Sequence, residues 1–434
     1  MTKIIIIGGG WAGCAAAVAA SKAGAKVTLL ERTDMLLGTG LVGGIMRNNG
    51  RFTATEEMIA MGGGDLFNIC DATARHTNIS FPGHNHANLY DIATTQGEVM
   101  RHLIHLGVEV VLQARINDIS MANETILSVK DQDGRMYSGD VFIDTTGTAG
   151  PMKNCNKYGN GCAMCILRCP SFGGRVSVAG LAGIEEMTGK KANGSIGAMS
   201  GSCKLYKESL SEEIQNELNT KGVAVIPIPD TLIEDHLGVK ACQQYALDAF
   251  RDNIILLDTG HAKLMSPFFT LTHLRQIPGF ENARYEDPYA GGKGNSMRYF
   301  NMAPRDNCLQ VQGSDNLFCA GEKAGLLVGH TEAIVTGILA GHNSVRHALG
   351  IQLLELPTEL AIGDAIAYVR EVMQTDEGMS KKYTFSGSVY FDRMKTLNLY
   401  SIDILEIKNK VETLELTDIF NKNIVKSTNL QPVS

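Results

Sequence analysis

The chain reads as an α/β protein, a three-layer fold on a parallel central sheet with an inserted domain and a C-terminal helical segment. Three observations predict it. A short apolar strand, Lys3–Ile7, runs into Gly8-Gly9-Gly10-Trp11-Ala12-Gly13 and an alanine-rich stretch that reads as a helix to about Ala23. Two more apolar strands end on glycine far downstream, Asp140–Thr145 before Gly147 and Asn316–Ala320 before Gly321. At 434 residues the chain exceeds one simple core and has room for an insertion between these strands.

Taken in order, the opening strand, helix and second strand (Lys26–Leu30) make a βαβ unit, with Gly24 ending the helix. Met35–Gly44 is a glycine-rich turn, and Glu56–Leu66 and Thr94–Leu106 carry helical patterns. Val108–Leu112 reads as a strand, and Ile116–Asp133 alternates as strands do. Residues 184–265 look mostly helical and polar, with one strand at Val223–Ile226. Thr331–Leu349 reads as a helix. The chain then stays helical and amphipathic to about Asn421, and the last dozen residues look frayed. The expected division is 1–150 with 300–350 as the nucleotide-binding domain, 151–299 as the insert carrying the substrate and cysteine elements, and 351–434 as the helical region.

Composition narrows the function. Apolar content of 44% and charge of 20% describe an ordinary globular chain. The formal net charge of −7 does not favour a broad nucleic-acid surface, though it leaves room for a local basic patch. No apolar run has the length of a membrane span, and the short run at Ile4–Ile7 meets glycines at once, so the expected location is the cytoplasm. In that reducing setting, ten cysteines suggest metal or redox work rather than disulfides.

The glycine turn has a chemical reason. Gly8 permits the tight turn, Gly10 lets backbone approach a diphosphate, and Gly13 lets helix and strand pack closely. The anion then sits on the amides and positive end of the helix. Glu31, at the end of the second strand, is placed to accept from ribose hydroxyls. Trp11, Ala12, Arg32 and Gly40 complete the candidate contacts at this end. This is a Rossmann-type dinucleotide site, and the distant glycine-ended strands select FAD over NAD. Asp144-Thr145-Thr146-Gly147 has the form of a second crossover touching the nucleotide. Asn316–Glu322 has the form of the late strand whose acid, Glu322 here, holds the ribityl chain beside Gly321. The helix from Thr331 can aim its N-terminus at the flavin ring, with His330 as donor or proton source. Lys323 and Glu332 lie near the same place. A packing role is expected for Cys14 and Cys319.

Several stretches resemble the GidA/TrmFO group of flavoproteins, known for modifying tRNA uridines. These are Leu274–Ala283 (LRQIPGFENA), Phe300–Pro304 (FNMAP), Asn316–Asn343 (NLFCAGEKAGLLVGHTEAIVTGILAGHN) and Leu354–Val369 (LELPTELAIGDAIAYV). The opening GGGWAGCAAAVAASKAGAKVTLLE and Met61-Gly62-Gly63-Gly64 look more like the GidA side. The resemblance covers the first 70 residues and roughly 270–370, and it implies FAD and the fold. The folate-using branch has a cysteine in a short Ser-Asn-Ser motif early in its chain, where this chain reads Gly43-Gly44-Ile45-Met46-Arg47-Asn48-Asn49.

A cysteine-rich segment departs from that group. Cys155, Cys162, Cys165 and Cys169-Pro170 carry x6, x2 and x3 spacing, near the ferredoxin run but different from it. Three readings stand: a [4Fe-4S] cluster exchanging electrons with the flavin, with Cys155 or Cys203 as fourth ligand; a redox dithiol at Cys162 and Cys165 or a structural zinc; and inert thiols. Ser171-Phe172-Gly173-Gly174-Arg175 follows, a turn able to bring the segment back to the flavin. His84-Asn85-His86 reads as a solvated loop. Arg298, Tyr299 and Arg305 read as surface charge or as a site for an acidic substrate group.

The leading expectation is an FAD-dependent oxidoreductase passing electrons between a cysteine-bound centre and a small substrate. His330, Cys162 and Cys165 are its candidate catalytic residues, and a ferredoxin-like electron partner and a homodimer are compatible with it. The alternatives are a folate- and FAD-dependent RNA uracil-5 methyltransferase-like enzyme and a flavin redox sensor without catalysis.

Overall fold

In a computed structural model the described residues are 2–148, 169–191, 193–196, 198–199, 202–235, 237, 243–266, 269–286 and 297–429. Five parallel strands form the central sheet, in the order Leu317–Cys319, Val141–Asp144, Lys3–Ile7, Lys26–Leu30, Glu109–Val111. The register brings their carboxyl ends level: Ile7 lies opposite both Asp144 and Leu30, and Asp144 opposite Cys319. Ligands of open parallel sheets gather at this edge. Ile4, Ile5, Ile6, Phe142, Ile143 and Phe318 are fully buried, as strands covered on both faces require.

Two helices lie together against the sheet, Trp11–Lys22 and His330–Ala348. Small residues set their approach. A Cβ on Gly337 would lie 2.3 Å from the Ala12 carbonyl oxygen, and one on Gly341 would lie 2.2 Å from that of Ala16. Cys14 and Cys319 are fully buried in this core, as expected. A three-stranded antiparallel sheet (Ile116–Ala122, Thr125–Asp131, Met136–Ser138) matches the alternation seen at 116–133.

The helical expectation for 184–265 is corrected. The described residues there build a four-stranded antiparallel sheet, in the order Cys203–Leu205, Ala262–Leu264, Asn253–Asp258, Val223–Pro227. Asn253–Asp258 explains the error. Ile254 and Leu256 enter one core while Ile255 and Leu257 enter another. Both faces are therefore apolar, and such a run has no period that separates strand from buried helix.

The helix expected at Glu56–Leu66 is two helices, Gly50–Ala60 and Asp65–Ala72, broken at Gly62–Gly64. The solvated loop expected at His84–His86 is part of strand His84–Tyr90, which pairs with Ala74–Phe81 and Ile45–Met46. His84 is 2% exposed and stacks on Phe81 at 4.7 Å. Its Nδ1 accepts from Asn48 and its Nε2 donates to the Gln244 carbonyl. Burial pushes its pKa down to about 3.

The helical C-terminal reading holds for Ala361–Val372, Ser388–Thr396 and Ile404–Thr413. The frayed end is corrected within the described residues: Ile424–Asn429 is a helix whose Val425 amide donates to Ala23. Among the described residues no helix is long and apolar enough to cross a membrane.

Candidate active site

A cleft opens at the carboxyl ends of the parallel strands, and its walls come from all three glycine-bearing strand ends. Gly8 takes φ +109°, and a Cβ there would sit 2.5 Å from the Thr145 carbonyl oxygen, so only glycine turns this corner. A Cβ on Gly13 would meet the Gly8 carbonyl oxygen at 1.8 Å, which is the helix–strand packing role. Gly10 differs. It has φ −71°, and its Cβ would find nothing within 4 Å. The polypeptide does not need glycine there, so the space in front of Gly10 is what a side chain would fill. The Trp11–Lys22 helix begins at that point with no side-chain cap. Uncapped amides, a positive helix end and a kept space together fit a diphosphate.

Glu31 lines the cleft, and its carboxylate accepts the amides of Gly9 and Thr33, both at 2.7 Å. A carboxylate has about four acceptor positions, so it can still take ribose hydroxyls. Arg32 also lines the cleft and donates to the Gly173 carbonyl. Ala12, Gly147, Gly321 and Glu322 lie in the same wall. Glu322 accepts from Thr148, and the Gly321 amide donates to Thr336.

At the other end, Trp11 meets Tyr90 edge-on at 5.8 Å, and its ring centroid lies 6.3 Å from that of His330. His330 opens the long helix and packs on Gly43, where a Cβ would lie 1.9 Å from its ring. The structure therefore gathers Gly8, Gly10, Trp11, Ala12, Glu31, Arg32, Gly147, Gly321, Glu322 and His330 in one cleft. Gly13, Gly40 and Thr331 sit behind the wall. Gly40 gives its carbonyl to Tyr90, and Thr331 is fully buried against the Met46 sulfur.

Other wall residues were not singled out from sequence. Arg51 pairs with the fully buried Glu332 at 3.1 Å, and Thr384 also donates to that carboxylate. From the inserted sheet comes Lys263, 6% exposed, donating to the Val42 carbonyl and to Ser202 at 2.6 Å. Gln244 and Tyr245 line the same side. A lone lysine on a strand, or an arginine in a helix, has no local pattern that marks it.

Two expectations change here. Arg305 is neither surface charge nor a substrate anchor: it is 5% exposed and holds the carbonyls of Ala324 and Ile366 at 2.8 and 2.9 Å. Tyr299 is fully buried, and the Arg298 side chain lies outside the described residues. Lys323 is fully buried, paired with Glu186 and 4.0 Å from Asp144, away from the cleft wall.

Cys155, Cys162 and Cys165 lie outside the described residues. Cys169 begins the short helix Cys169–Phe172, and its side chain is likewise outside them. Cys203 is buried in the inserted sheet with its thiol toward the Ser266 carbonyl at 3.8 Å. Among the described residues no group of three or more His, Cys, Asp or Glu is placed to hold a metal, and no cysteine lines the cleft.

Comparison with known proteins agrees with this architecture. The family described as Glucose inhibited division protein A matches residues 3–252 and 262–352. The methylenetetrahydrofolate–tRNA-(uracil-5-)-methyltransferase TrmFO of Thermus thermophilus is 34% identical over 121 residues, 27% of this chain and 25% of that protein. The chain thus aligns with about a quarter of that curated relative's length. The fold is similar to that of Aquifex aeolicus GidA, with TM-score 0.67 at 18% identity over 98% of this chain and 76% of that one. A second crystal form gives 0.59 at 15% identity, over 95% and 78%.

Proposed function

The chain belongs to the Glucose inhibited division protein A family, a family of flavoproteins, and from that premise we propose that it is an FAD-dependent oxidoreductase acting on a uridine of tRNA. The observation that carries the flavin is the space kept before Gly10 at an uncapped helix start, in a cleft shared by three glycine-ended strands. The substrate class is the one on which the Thermus relative acts, a uracil of tRNA.

In this reading Glu31 and Arg32 hold the adenosine end, the Gly8–Ala12 amides the diphosphate, and Glu322 the ribityl chain. FAD, when bound, supplies exchange of a hydride or of single electrons. The chain's own residues do the rest. The start of the His330–Ala348 helix favours negative charge at the ring end. Lys263 places a buried cation on the facing wall, where low dielectric strengthens its effect on developing negative charge. His330 is positioned to hold or deliver a proton, and Trp11 and Tyr245 offer flat surfaces that exclude water.

The test is anaerobic. Purified protein should carry about one FAD per chain, and reduced protein given methylenetetrahydrofolate and unmodified tRNA should yield a mass-shifted uridine by nucleoside mass spectrometry. His330→Ala should slow flavin reoxidation by that substrate while FAD stays bound. Protein that binds no FAD sinks the reading, and bound, reducible FAD with no altered nucleoside sinks the substrate class.

A second reading rests on the spacing of Cys155, Cys162, Cys165 and Cys169. It adds an iron–sulfur centre that exchanges electrons with the flavin and with a ferredoxin-like partner. Iron and sulfide in anaerobically purified protein, lost in Cys162→Ser with FAD retained, would support it. Stoichiometric zinc, or no metal, would remove it.

A further inference from the structure

One cation in the cleft wall has no task in the reading above. Arg175 follows Gly173-Gly174 and leads into the short helix Val178–Leu181. Its side chain lines the cleft and is 4% exposed, and among the described residues none of its three guanidinium nitrogens has a hydrogen-bond partner. A guanidinium carries five N–H donors in a planar fork, and burying them unmet is costly.

The charges around it do not meet them. Burial, the largest effect, opposes its charge and with Arg32 holds its pKa below the ordinary guanidinium value, while Glu186, Asp144 and Glu322 favour the charge through space. Each of these carboxylates is engaged elsewhere. Glu186 accepts from Lys323 and Ser177. Asp144 accepts the amides of Thr146, Val178 and Ala179. Glu322 accepts from Thr148. They set a negative field around Arg175 that partly offsets its burial without filling its donor positions.

Its location says which anion completes it. Arg175 shares the wall with Gly147, Thr148 and Glu322. Gly321, beside Glu322, packs on the start of the opening helix, where its Cβ would lie 3.0 Å from that of Ala12. The orphaned fork and the kept space before Gly10 therefore belong to one cleft, and a planar fork matches two phosphate oxygens.

We propose that Arg175 is a diphosphate-binding residue of the cofactor site, its guanidinium pairing with phosphate oxygens that the opening helix also receives. The proposal rests on the FAD reading and adds a side-chain anchor to a diphosphate position otherwise built from backbone.

The experiment compares wild type, Arg175→Met and Arg175→Lys. FAD occupancy is measured as purified. After flavin removal, each protein is titrated by fluorescence with FAD and with riboflavin, which lacks phosphate. Arg175→Met should weaken FAD roughly 10- to 100-fold, the range of one charge-assisted pair, and leave riboflavin binding unchanged. Arg175→Lys should fall between. The flavin-free Met variant should melt no lower than wild type, because it loses a buried charge with no partner. Inorganic pyrophosphate should compete with FAD in wild type and fail to do so in Arg175→Met.

Equal FAD affinity in wild type and Arg175→Met overturns the proposal, as does an equal loss of FAD and riboflavin, or a lower melting point without flavin. Pyrophosphate that binds wild type without displacing FAD assigns Arg175 to another phosphate-bearing ligand and also overturns it. Wild type that binds no FAD fails the underlying flavin reading instead, so the two failures are distinguishable.

Discussion

The two sheets that border the cleft contribute in different ways. The parallel sheet brings mostly backbone: turns at Gly8, Gly147 and Gly321, the start of a helix, and a carboxylate, Glu31, that braces the first turn through two amides. The inserted antiparallel sheet and its flanks bring side chains: Lys263, Ser202, Gln244, Tyr245 and Met265. Backbone amides recognise what every dinucleotide shares. Side chains on the facing sheet can change without disturbing that grip. In the proposed reading one wall fixes the cofactor and the other is free to set the chemistry, which is why a shared fold does not by itself name a substrate.

Substitutions can break this division, and the largest effect is expected within the parallel half. Gly13→Val should prevent stable folding, because its first side-chain carbon would lie 1.8 Å from a backbone oxygen on the strand side. Circular dichroism and solubility report it, and a folded Gly13→Val protein with normal melting would refute the packing role. Gly10→Val, three residues earlier, should fold and melt as flavin-free wild type does while losing FAD at least 100-fold, a cost of about 3 kcal/mol. Unchanged flavin content would remove the diphosphate from Gly10.

Next in size is the inserted sheet. Leu256 is fully buried in that sheet's own core, so Leu256→Ala should cost about 2–5 kcal/mol by denaturant titration. FAD stoichiometry should be retained. If FAD is lost in parallel with insert stability, the two walls are one unit and the division fails.

The smallest effect is one of pH, and it lies between the parallel half and the C-terminal helices. Glu57 is fully buried, and its carboxylate accepts the first amides of the Ala361–Val372 helix, from Ala361 and Ile362. Burial outweighs those hydrogen bonds and raises its pKa from 4.5 to about 7. The folded state therefore keeps a proton that the unfolded chain releases, and stability falls as pH rises between these two values. The loss is at most about 3 kcal/mol. Glu57→Gln should flatten the melting temperature across that window, and an unaltered slope would place the titration elsewhere.

How much of this was legible in the sequence depended on whether the constraint was local. Gly8 is required by the left-handed backbone of one short turn and Gly13 by the Gly8 carbonyl of that same turn, so they appear as a motif. The apolar strands that set Asp144 beside Ile7 and Cys319 beside Asp144 end on or near glycine, so the strands, though not their register, could be read as well. Lys263 could not, because its place in the wall depends on a sheet whose central strand, Asn253–Asp258, is apolar on both faces. Arg51 and Glu332 are 281 residues apart, and only the finished fold brings them together. Arg305 misled for a related reason: its charge suggested solvent or substrate, whereas two distant carbonyls claim it. Arg175 was visible as part of a glycine-bearing turn, but its unmet donors are a property of three-dimensional surroundings.

The seam of Gly337 and Gly341 on Ala12 and Ala16 has a mechanical consequence. The helix that starts at His330 cannot slide along the helix that starts at Trp11 without driving Cβ groups into carbonyl oxygens. The starts of the two helices, and with them the Trp11 and His330 rings 6.3 Å apart, are thereby held at a fixed span, like the jaws of a locked caliper. Whatever enters the cleft between those rings meets walls that cannot slide past each other, so the seam sets the width of the gap and does not follow what fills it.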